Sequence, residues 1–437
     1  MKKIICATAI ACLVFTAAFS QANKGFSFSR NSDGRETKSV IESDNNDFHL
    51  KVEYTGDITL NDSETAIESI SPGGILKYTK NGSRLIAESR DGVIYYQLYD
   101  NGEELSQPGE KATKFIAAVM KDLISLGFNA QQHVARIYKR GGASAVLAEV
   151  SDLKSDYVKQ VYLGELLKIG NLNTADMNAV AKSIALLSGN YEKSQLLQKN
   201  AGAYLNNPQT IHAYFDAAGT IGGDYEKSQV LQGALKQQLT TTALNQLLAV
   251  AATIGSDYEK SQVLQGVLKG QPGKAGVSQL LAVAATIRGD YEKGQVLKKA
   301  ARVPGLDEDN CIKLLNDADA IHGAYEKAGV LNEVIAADSL SNTSLDLLLQ
   351  VAGRISSDYE KSGVFKALAA RASWSTGEWI KLINATASVN AAYEKSTALV
   401  TIAGKMPADT KVREAYMETA KTIGSNYEYE QAVNAAK

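Results

Sequence analysis

A tyrosine recurs along most of the chain at an almost constant spacing, and this repeat constrains the fold more than any other feature. Successive copies are 33 or 34 residues apart. The nine tyrosines are Tyr157, Tyr191, Tyr225, Tyr258, Tyr291, Tyr325, Tyr359, Tyr393 and Tyr427. Most copies share a motif in which Asp or Asn precedes the tyrosine and Glu and Lys follow it, as in Asp257-Tyr258-Glu259-Lys260. A period of this length is typical of stacked helical units.

Each repeat reads as a helical hairpin. Apolar residues stand 11, 7 and 4 positions before the tyrosine, as Leu247, Ala251 and Ile254 do in the fourth copy, and this spacing defines one face of a helix A. A second apolar stripe, 5, 6 and 9 positions after the tyrosine, defines a helix B that begins at the motif. We therefore predict a mainly α protein, a right-handed α-solenoid of about nine hairpins, preceded by a small β module.

The motif residues have a structural explanation in this scheme. Asp or Asn before the tyrosine is expected to cap helix B, the following Glu complements the helix dipole, and the tyrosine ring packs between adjacent hairpins. All nine tyrosines are therefore assigned to the repeat structure. In the alternative interpretation, seven Glu-Lys pairs, from Glu192-Lys193 to Glu394-Lys395, form a zwitterionic ridge that grips an extended peptide or glycan. Small residues seven positions before the tyrosine permit close helix packing: Ala218, Ala251, Ala284, Ala318 and Ala352.

The first third of the chain has a different pattern. Alternating segments at 48–54, 65–70, 75–79, 85–89 and 93–98 predict an antiparallel β module over residues 48–105. Asn81-Gly82, Asp91-Gly92 and Asn101-Gly102 are typical of tight hairpin turns. We predict a flexible lead-in over residues 23–47, connecting helices over 106–140, and the repeat array over 141–437, after a break at Gly141-Gly142.

The N-terminus predicts export. Two lysines precede an apolar run at residues 4–19, and small residues lead to Ala22, so we expect a signal peptide over residues 1–22 that is cleaved near Ala22. The alternative is a retained membrane anchor. The expected location is periplasmic or secreted, in a bacterium. Two of the three cysteines lie within this leader, which leaves Cys311 as the single thiol of the processed chain.

The sequence contains few of the residues and motifs that usually form catalytic or metal sites. There are 46 Lys and Arg residues against 48 Asp and Glu, so no general basic surface for nucleic acid is expected. The four histidines are scattered, and the chain has neither a phosphate-binding loop nor a Gly-x-Ser-x-Gly elbow. We predict no catalytic residue, metal or cofactor, and no membrane span after cleavage. Aromatic and histidine side chains that depart from the pattern of helix A, or flank it, are the candidate partner-binding residues: Tyr204, His212, Tyr214, Phe215, Trp374 and Trp379.

Two family resemblances follow from these motifs. The period and the Asp-Tyr-Glu-Lys opening of helix B resemble tetratricopeptide repeats, but helix A lacks that family's Leu-Gly-x-x-Tyr core, so the array is TPR-like or HEAT-like. Pro72-Gly73-Gly74, residues 140–150 and residues 155–159 resemble an extracytoplasmic region associated with β-lactam-sensor-type membrane metallopeptidases. That likeness covers roughly residues 45–270, and the peptidase motif His-Glu-x-x-His is missing.

The second resemblance implies an envelope sensor or binding region without the peptidase. The leading hypothesis is a non-enzymatic exported binding or scaffold protein that presents its solenoid surface to a protein or envelope partner. The alternative is an accessory sensor arm of an envelope signalling or proteolytic system. A hydrolase is the third hypothesis.

Overall fold

A computed structural model describes residues 26–32, 37–45, 48–170, 172–337, 340–371 and 374–437. The protein is mainly helical, with an N-terminal antiparallel sheet followed by a helical repeat array, as the sequence predicted. The chain forms two compact units, one ending at Leu172 and the other spanning Asn173–Lys437. The predicted signal peptide, residues 1–22, lies outside the described residues.

The first unit begins with an antiparallel sheet. Its strands are β1 (Phe26–Ser32), β2 (Thr37–Asn45), β3 (Phe48–Thr55), β6 (Ile75–Lys80), β7 (Ser83–Arg90), β8 (Val93–Asp100) and β9 (Glu103–Glu104), in that spatial order. A separate hairpin pairs β4 (Ile58–Leu60) with β5 (Ile67–Ile70). Strands β1 and β2 fall within residues 23–47, which we predicted as a flexible lead-in. Their pairing joins backbone groups and needs no apolar alternation, so the sequence pattern gave no signal for it.

The hairpin turns follow the sequence prediction. Asn81 and Gly82 have φ angles of 45° and 87°, and the Asp91-Gly92 and Asn101-Gly102 pairs likewise have positive φ at both positions. These angles are those of the tight two-residue turns that match strand twist.

One sheet face packs against helix α1 (Glu110–Ser125) through Leu76, Leu85 and Met120, all of which are fully buried.

The first helical hairpin belongs to this β-containing unit. Helix α2 (Ala130–Asp152) has a kink at Gly141 and Gly142, and α3 (Asp156–Lys168) follows it. Asn129 Nδ2 donates to the Ile58 carbonyl at 2.9 Å, and an Arg136 nitrogen donates to the Leu60 carbonyl at 2.8 Å. The backbone leaves helical geometry at Gly141 and Gly142, but the second compact unit starts at Asn173, whereas we predicted the repeat array from residue 141. Helix α2 belongs to the first unit, where Asn129 and Arg136 bind the β4–β5 hairpin.

The second unit contains eight hairpins. The A helices are α4 (Thr174–Ala185), α6 (Ile211–Gly219), α8 (Thr241–Ala252), α10 (Gly273–Ala284), α12 (Glu308–Asp319), α14 (Asn342–Gly353), α16 (Thr376–Thr386) and α18 (Thr410–Ala420). The B helices are α5 (Asn190–Leu205), α7 (Asp224–Ala234), α9 (Asp257–Lys269), α11 (Asp290–Ala301), α13 (Ala324–Ala336), α15 (Asp358–Ala369), α17 (Ala392–Ala403) and α19 (Asn426–Ala435). Each A helix packs on the next A helix, and each B helix on the next B helix. The array thus has an A layer and a B layer.

The small residues of helix A lie where the hairpins meet. Ala218, Ala251, Ala284, Ala318 and Ala352 are fully buried. A larger side chain at these positions would have to displace close-packed neighbours, which costs about 1–3 kcal/mol.

We expect Ala284→Leu to lower the free energy of unfolding by roughly 1–3 kcal/mol through overpacking. Ala282 lies on the same helix with its side chain exposed, so Ala282→Leu is the matched control and should change stability by less than about 0.5 kcal/mol. Urea titration followed by circular dichroism measures both variants. Equal effects would show that the buried alanines do not set the helix spacing.

Candidate functional site

The acidic residue of the motif does not cap its own helix. The N-cap residues are those one position earlier, such as Gly223 and Ser256, and Ser256 Oγ accepts from the Glu259 N–H at 3.3 Å. Asp224 instead accepts from the backbone N–H groups of Gly255 at 3.0 Å and Ser256 at 2.8 Å, in the hinge of the next repeat. The predicted capping role was therefore wrong: this carboxylate joins one hairpin to the next.

The same link recurs along the array. Backbone N–H groups of the following hinge donate to Asn190, Asp257, Asp290 and Asp358, with the shortest bond in each hinge 2.7–2.8 Å long. Burial of Asp290 alone would raise its pKa, but the bonds from Gly323 and His322 outweigh burial and lower it. The pKa of Asp358 is lowered in the same way, with bonds from Ala391 and Asn390. The ionised carboxylate is thus the form that the fold favours.

The motif lysine is buried and in several repeats reaches the next hairpin, whereas Lys327 Nζ donates to the Asp319 carbonyl of its own hairpin at 3.0 Å. Seven of these lysines are only 5–7% exposed: Lys193, Lys227, Lys260, Lys293, Lys327, Lys361 and Lys395. Lys227 Nζ donates to Thr253 Oγ1 at 2.9 Å, at the C-terminal end of the next A helix. Lys193, Lys260 and Lys395 make the equivalent bond to the hydroxyls of Thr220, Thr286 and Thr422, and Lys361 donates to the Ser388 carbonyl. A cation at this end of a helix also complements the helix dipole. A zwitterionic ridge requires exposed ammonium groups, so that interpretation was wrong.

The tyrosines of the second unit point away from the hairpin contacts. Their side chains are 46–69% exposed, which is high for so large a ring. We call the eight together the tyrosine row: Tyr191, Tyr225, Tyr258, Tyr291, Tyr325, Tyr359, Tyr393 and Tyr427. Tyr157, in the first unit, is half-buried, and burial raises its pKa. The prediction that the motif ring packs between hairpins was therefore wrong for the second unit.

The predicted partner-binding aromatics mostly lie in the core. Tyr204, Tyr214, Phe215 and Trp379 are at most 5% exposed, and the Tyr204 and Tyr214 ring centroids lie 5.8 Å apart. The Tyr204 hydroxyl donates to the Met177 carbonyl at 3.1 Å. Buried side chains cannot contact a partner at the surface, so these four residues stabilise the fold instead.

The other two predicted residues are more accessible. Trp374 is half-buried, its Nε1 donates to the Leu368 carbonyl at 2.9 Å, and the Arg371 guanidinium lies 4.9 Å from its ring centroid. His212 is exposed on α6, with a ring nitrogen 2.7 Å from Gln246 Nε2. His212 is thus on the A layer, whereas the tyrosine row is on the B layer.

Carboxylates accompany the tyrosine row. A half-buried Glu follows each ring, and in the third repeat its carboxylate covers the N-cap: a Cβ added at Gly223 would lie 2.2 Å from Glu226 Oε2. In three consecutive repeats an Asp also precedes the ring, giving Asp-Tyr-Glu at 224–226, 257–259 and 290–292. Because the motif lysine is buried, the accessible part of the motif is aromatic and acidic.

A shallow cleft lies beside the row at Tyr325. Its volume is about 390 Å³, and α11, α13 and Glu360 of α15 line it. Lys298 and Arg302 contribute basic groups, and Arg302 Nε pairs with Glu333 Oε2 at 2.7 Å. The Lys298 side chain passes over Gly329, where the four preceding repeats have Gln. The surface beside Tyr325, the fifth ring of the row, therefore carries basic groups, in contrast to Tyr225–Tyr291.

The described part of the chain contains no group of three or more His, Cys, Asp or Glu side chains that could hold a metal ion, and none of its helices has the length and apolarity to cross a bilayer. Cys311 is fully buried on α12, and burial raises the pKa of its thiol. No protein-family model matches the chain, and no curated protein matches it.

The inter-repeat carboxylate should contribute measurably to stability. We expect Asp290→Ala to cost about 1–2 kcal/mol, because two hinge N–H groups lose a charged acceptor that is half exposed. Asp290→Asn should cost less, since Asn190 already accepts from a hinge N–H in another repeat. Denaturant unfolding of both variants tests this order, and an equal loss in both would contradict it.

The same residues predict acid sensitivity. Because the pKa values of Asp290 and Asp358 are lowered in the folded protein, their stabilisation is complete above the ordinary Asp pKa of about 3.9. It is lost as pH falls from there through the lowered folded value. The double variant Asp290→Asn, Asp358→Asn should therefore be less stable than the wild type near pH 6, and the two stabilities should converge toward pH 2. A constant difference across that range would refute the assignment.

Proposed function

We propose that this is a non-enzymatic, exported binding or scaffold protein whose tyrosine row contacts a protein or envelope partner. The observation that carries the proposal is the exposure of the same large ring in eight successive repeats. Tyrosine is favoured at interfaces because its ring supplies apolar contact area while its hydroxyl bonds to polar groups. Asp, Lys and the apolar stripes already account for assembly of the repeats, so recognition of a partner is the role that we assign to the exposed ring.

The proposed location rests on the sequence. The basic residues, apolar run and small-residue exit at residues 1–22 are those of a signal peptide, and the likeness to the metallopeptidase-associated extracytoplasmic region points to the same compartment. The candidate partners of an exported protein are the proteins and polymers of the envelope.

One observation favours the sensor arm as the second candidate. The β module and the first hairpin form one compact unit, joined by Arg136, whose guanidinium bonds the Leu60 carbonyl at 2.8 Å and Glu64 Oε1 at 3.1 Å. The family likeness, over roughly residues 45–270, spans this same unit. In a sensor arm, this unit would be the part that contacts the membrane partner.

Replacing three exposed rings tests the binding proposal. The full-length protein carrying Tyr225→Ser, Tyr258→Ser and Tyr291→Ser should capture at least tenfold less partner from a bacterial envelope extract, with an unchanged melting temperature because all three rings are exposed. Ala282→Ser, an exposed change on the A layer, is the control and should capture normally. Undiminished capture by the triple variant would exclude the tyrosine row as the binding surface. A transcriptional response to gene deletion, without stable capture, would favour the sensor arm.

A further inference from the structure

The spacing of the tyrosine row limits what can lie along it. Successive B helices pack on each other, and the axes of packed helices lie about 8–10 Å apart, so we expect successive rings to repeat at about that interval. A polyproline II helix presents the same face every three residues, or about every 9 Å. A β-strand presents the same face about every 7 Å, and an α-helix about every 5 Å per turn or about 10.5 Å per heptad. The polyproline II repeat fits this interval most closely.

The carboxylates beside the tyrosine row indicate which side chains such a ligand carries. At Tyr225, Tyr258 and Tyr291 each ring lies between an Asp and a Glu in sequence, and the lysine that follows is 5–7% exposed and directed to the next A helix or buried beneath the row. The surface therefore complements a cation, which an aromatic face and a carboxylate can bind together. Arg288 is the exposed basic residue in the hinge before Tyr291. The basic cleft at Lys298 and Arg302 marks where this acidic stretch ends.

We propose that Tyr225, Tyr258 and Tyr291 bind a proline-rich polypeptide segment in the polyproline II conformation that carries Lys or Arg at every third position. This inference rests on the proposed binding function and names its partner chemistry. Prolines would pack against the rings, as in other aromatic-lined grooves for proline-rich segments, and the cations would face the flanking carboxylates.

The scaffold is suited to a periodic ligand because its own period is fixed. Asp224, Asp257 and Asp290, which flank the three rings, also accept the N–H bonds that hold each next hinge. The ligand is equally preorganised, since a polyproline II helix loses little conformational entropy on binding. Because the protein and the ligand have similar repeat spacings, several rings can contact successive ligand units at once. Weak contacts then add up along the row.

Fluorescence polarisation with the full-length protein tests the proposal. The probe is a labelled peptide of five Pro-Pro-Arg units. Matched peptides replace Arg by Glu, replace both prolines by glycine, or place Arg at every fourth position with the same number of arginines. We expect the Pro-Pro-Arg peptide to bind at least tenfold more tightly than each of the three, and its affinity to fall as salt increases.

Variants locate the site. Each single Tyr→Ser change at the three positions should weaken binding roughly threefold, and the triple change roughly thirtyfold, because each change removes one ring–proline contact. Triple Tyr→Phe should retain most of the affinity because the ring face remains. Ala282→Ser, an exposed change on the A layer, should bind as the wild type does. Equal affinity for the peptide with Arg at every fourth position, or for the triple Tyr→Ser variant, would overturn the proposal.

The outcome separates this inference from the proposed function. If envelope capture depends on the three tyrosines but no proline-rich basic peptide binds, the binding function stands and the ligand class is wrong. Release of the captured partner by soluble envelope glycan, with no competition by the peptide, would identify a glycan ligand instead. If capture itself is independent of the tyrosines, both proposals fail.

Discussion

The structure of the array depends on polar bonds that join one hairpin to the next. At five B helices of the described chain, an N-terminal carboxylate or amide, as at Asp257, accepts from N–H groups of the hinge before the next B helix. In several repeats the lysine three residues later also reaches the end of the next A helix, as Lys260 does. These groups are unsatisfied helix ends, which a buried interface cannot leave unpaired. A short motif therefore sets the spacing between hairpins and also contributes to the stability of the array. Apolar burial alone holds two layers together but does not select one register between them.

In this arrangement some motif residues hold the hairpins together and the tyrosine faces solvent. Asp and Lys face the neighbouring hairpin, whereas the tyrosine between them faces outward because adjacent positions on a helix lie about 100° apart. The consequence is a regular surface whose period is set by the interior. Any ligand that binds several rings must share that period, which is the physical basis of the proposed polyproline II partner. The fully buried Tyr204 and Tyr214 take no part in this surface.

Much of the fold could be predicted from the sequence. The tyrosine period gave the repeat, the two apolar stripes gave helices A and B, and Asn-Gly and Asp-Gly pairs gave the turns, since each depends on local geometry. The side-chain roles could not be predicted equally well. Periodicity shows that Lys227 and Tyr225 recur together but not which of them faces the next hairpin, and an irregular aromatic such as Tyr214 is equally compatible with a filled core and with a binding surface. Those distinctions depend on contacts between repeats, which a single hairpin does not contain.

Tyrosine nitration of the folded protein, with each site quantified by mass spectrometry, tests most directly whether the motif tyrosines are exposed and the other tyrosines are buried. Modification requires solvent access, so the rings of the tyrosine row, such as Tyr258 at 59% exposed, should react readily, while Tyr162, Tyr204, Tyr214 and Tyr416 should react only after unfolding. Protection of the motif tyrosines in the folded state, with rapid modification of Tyr204 and Tyr214, would contradict the account.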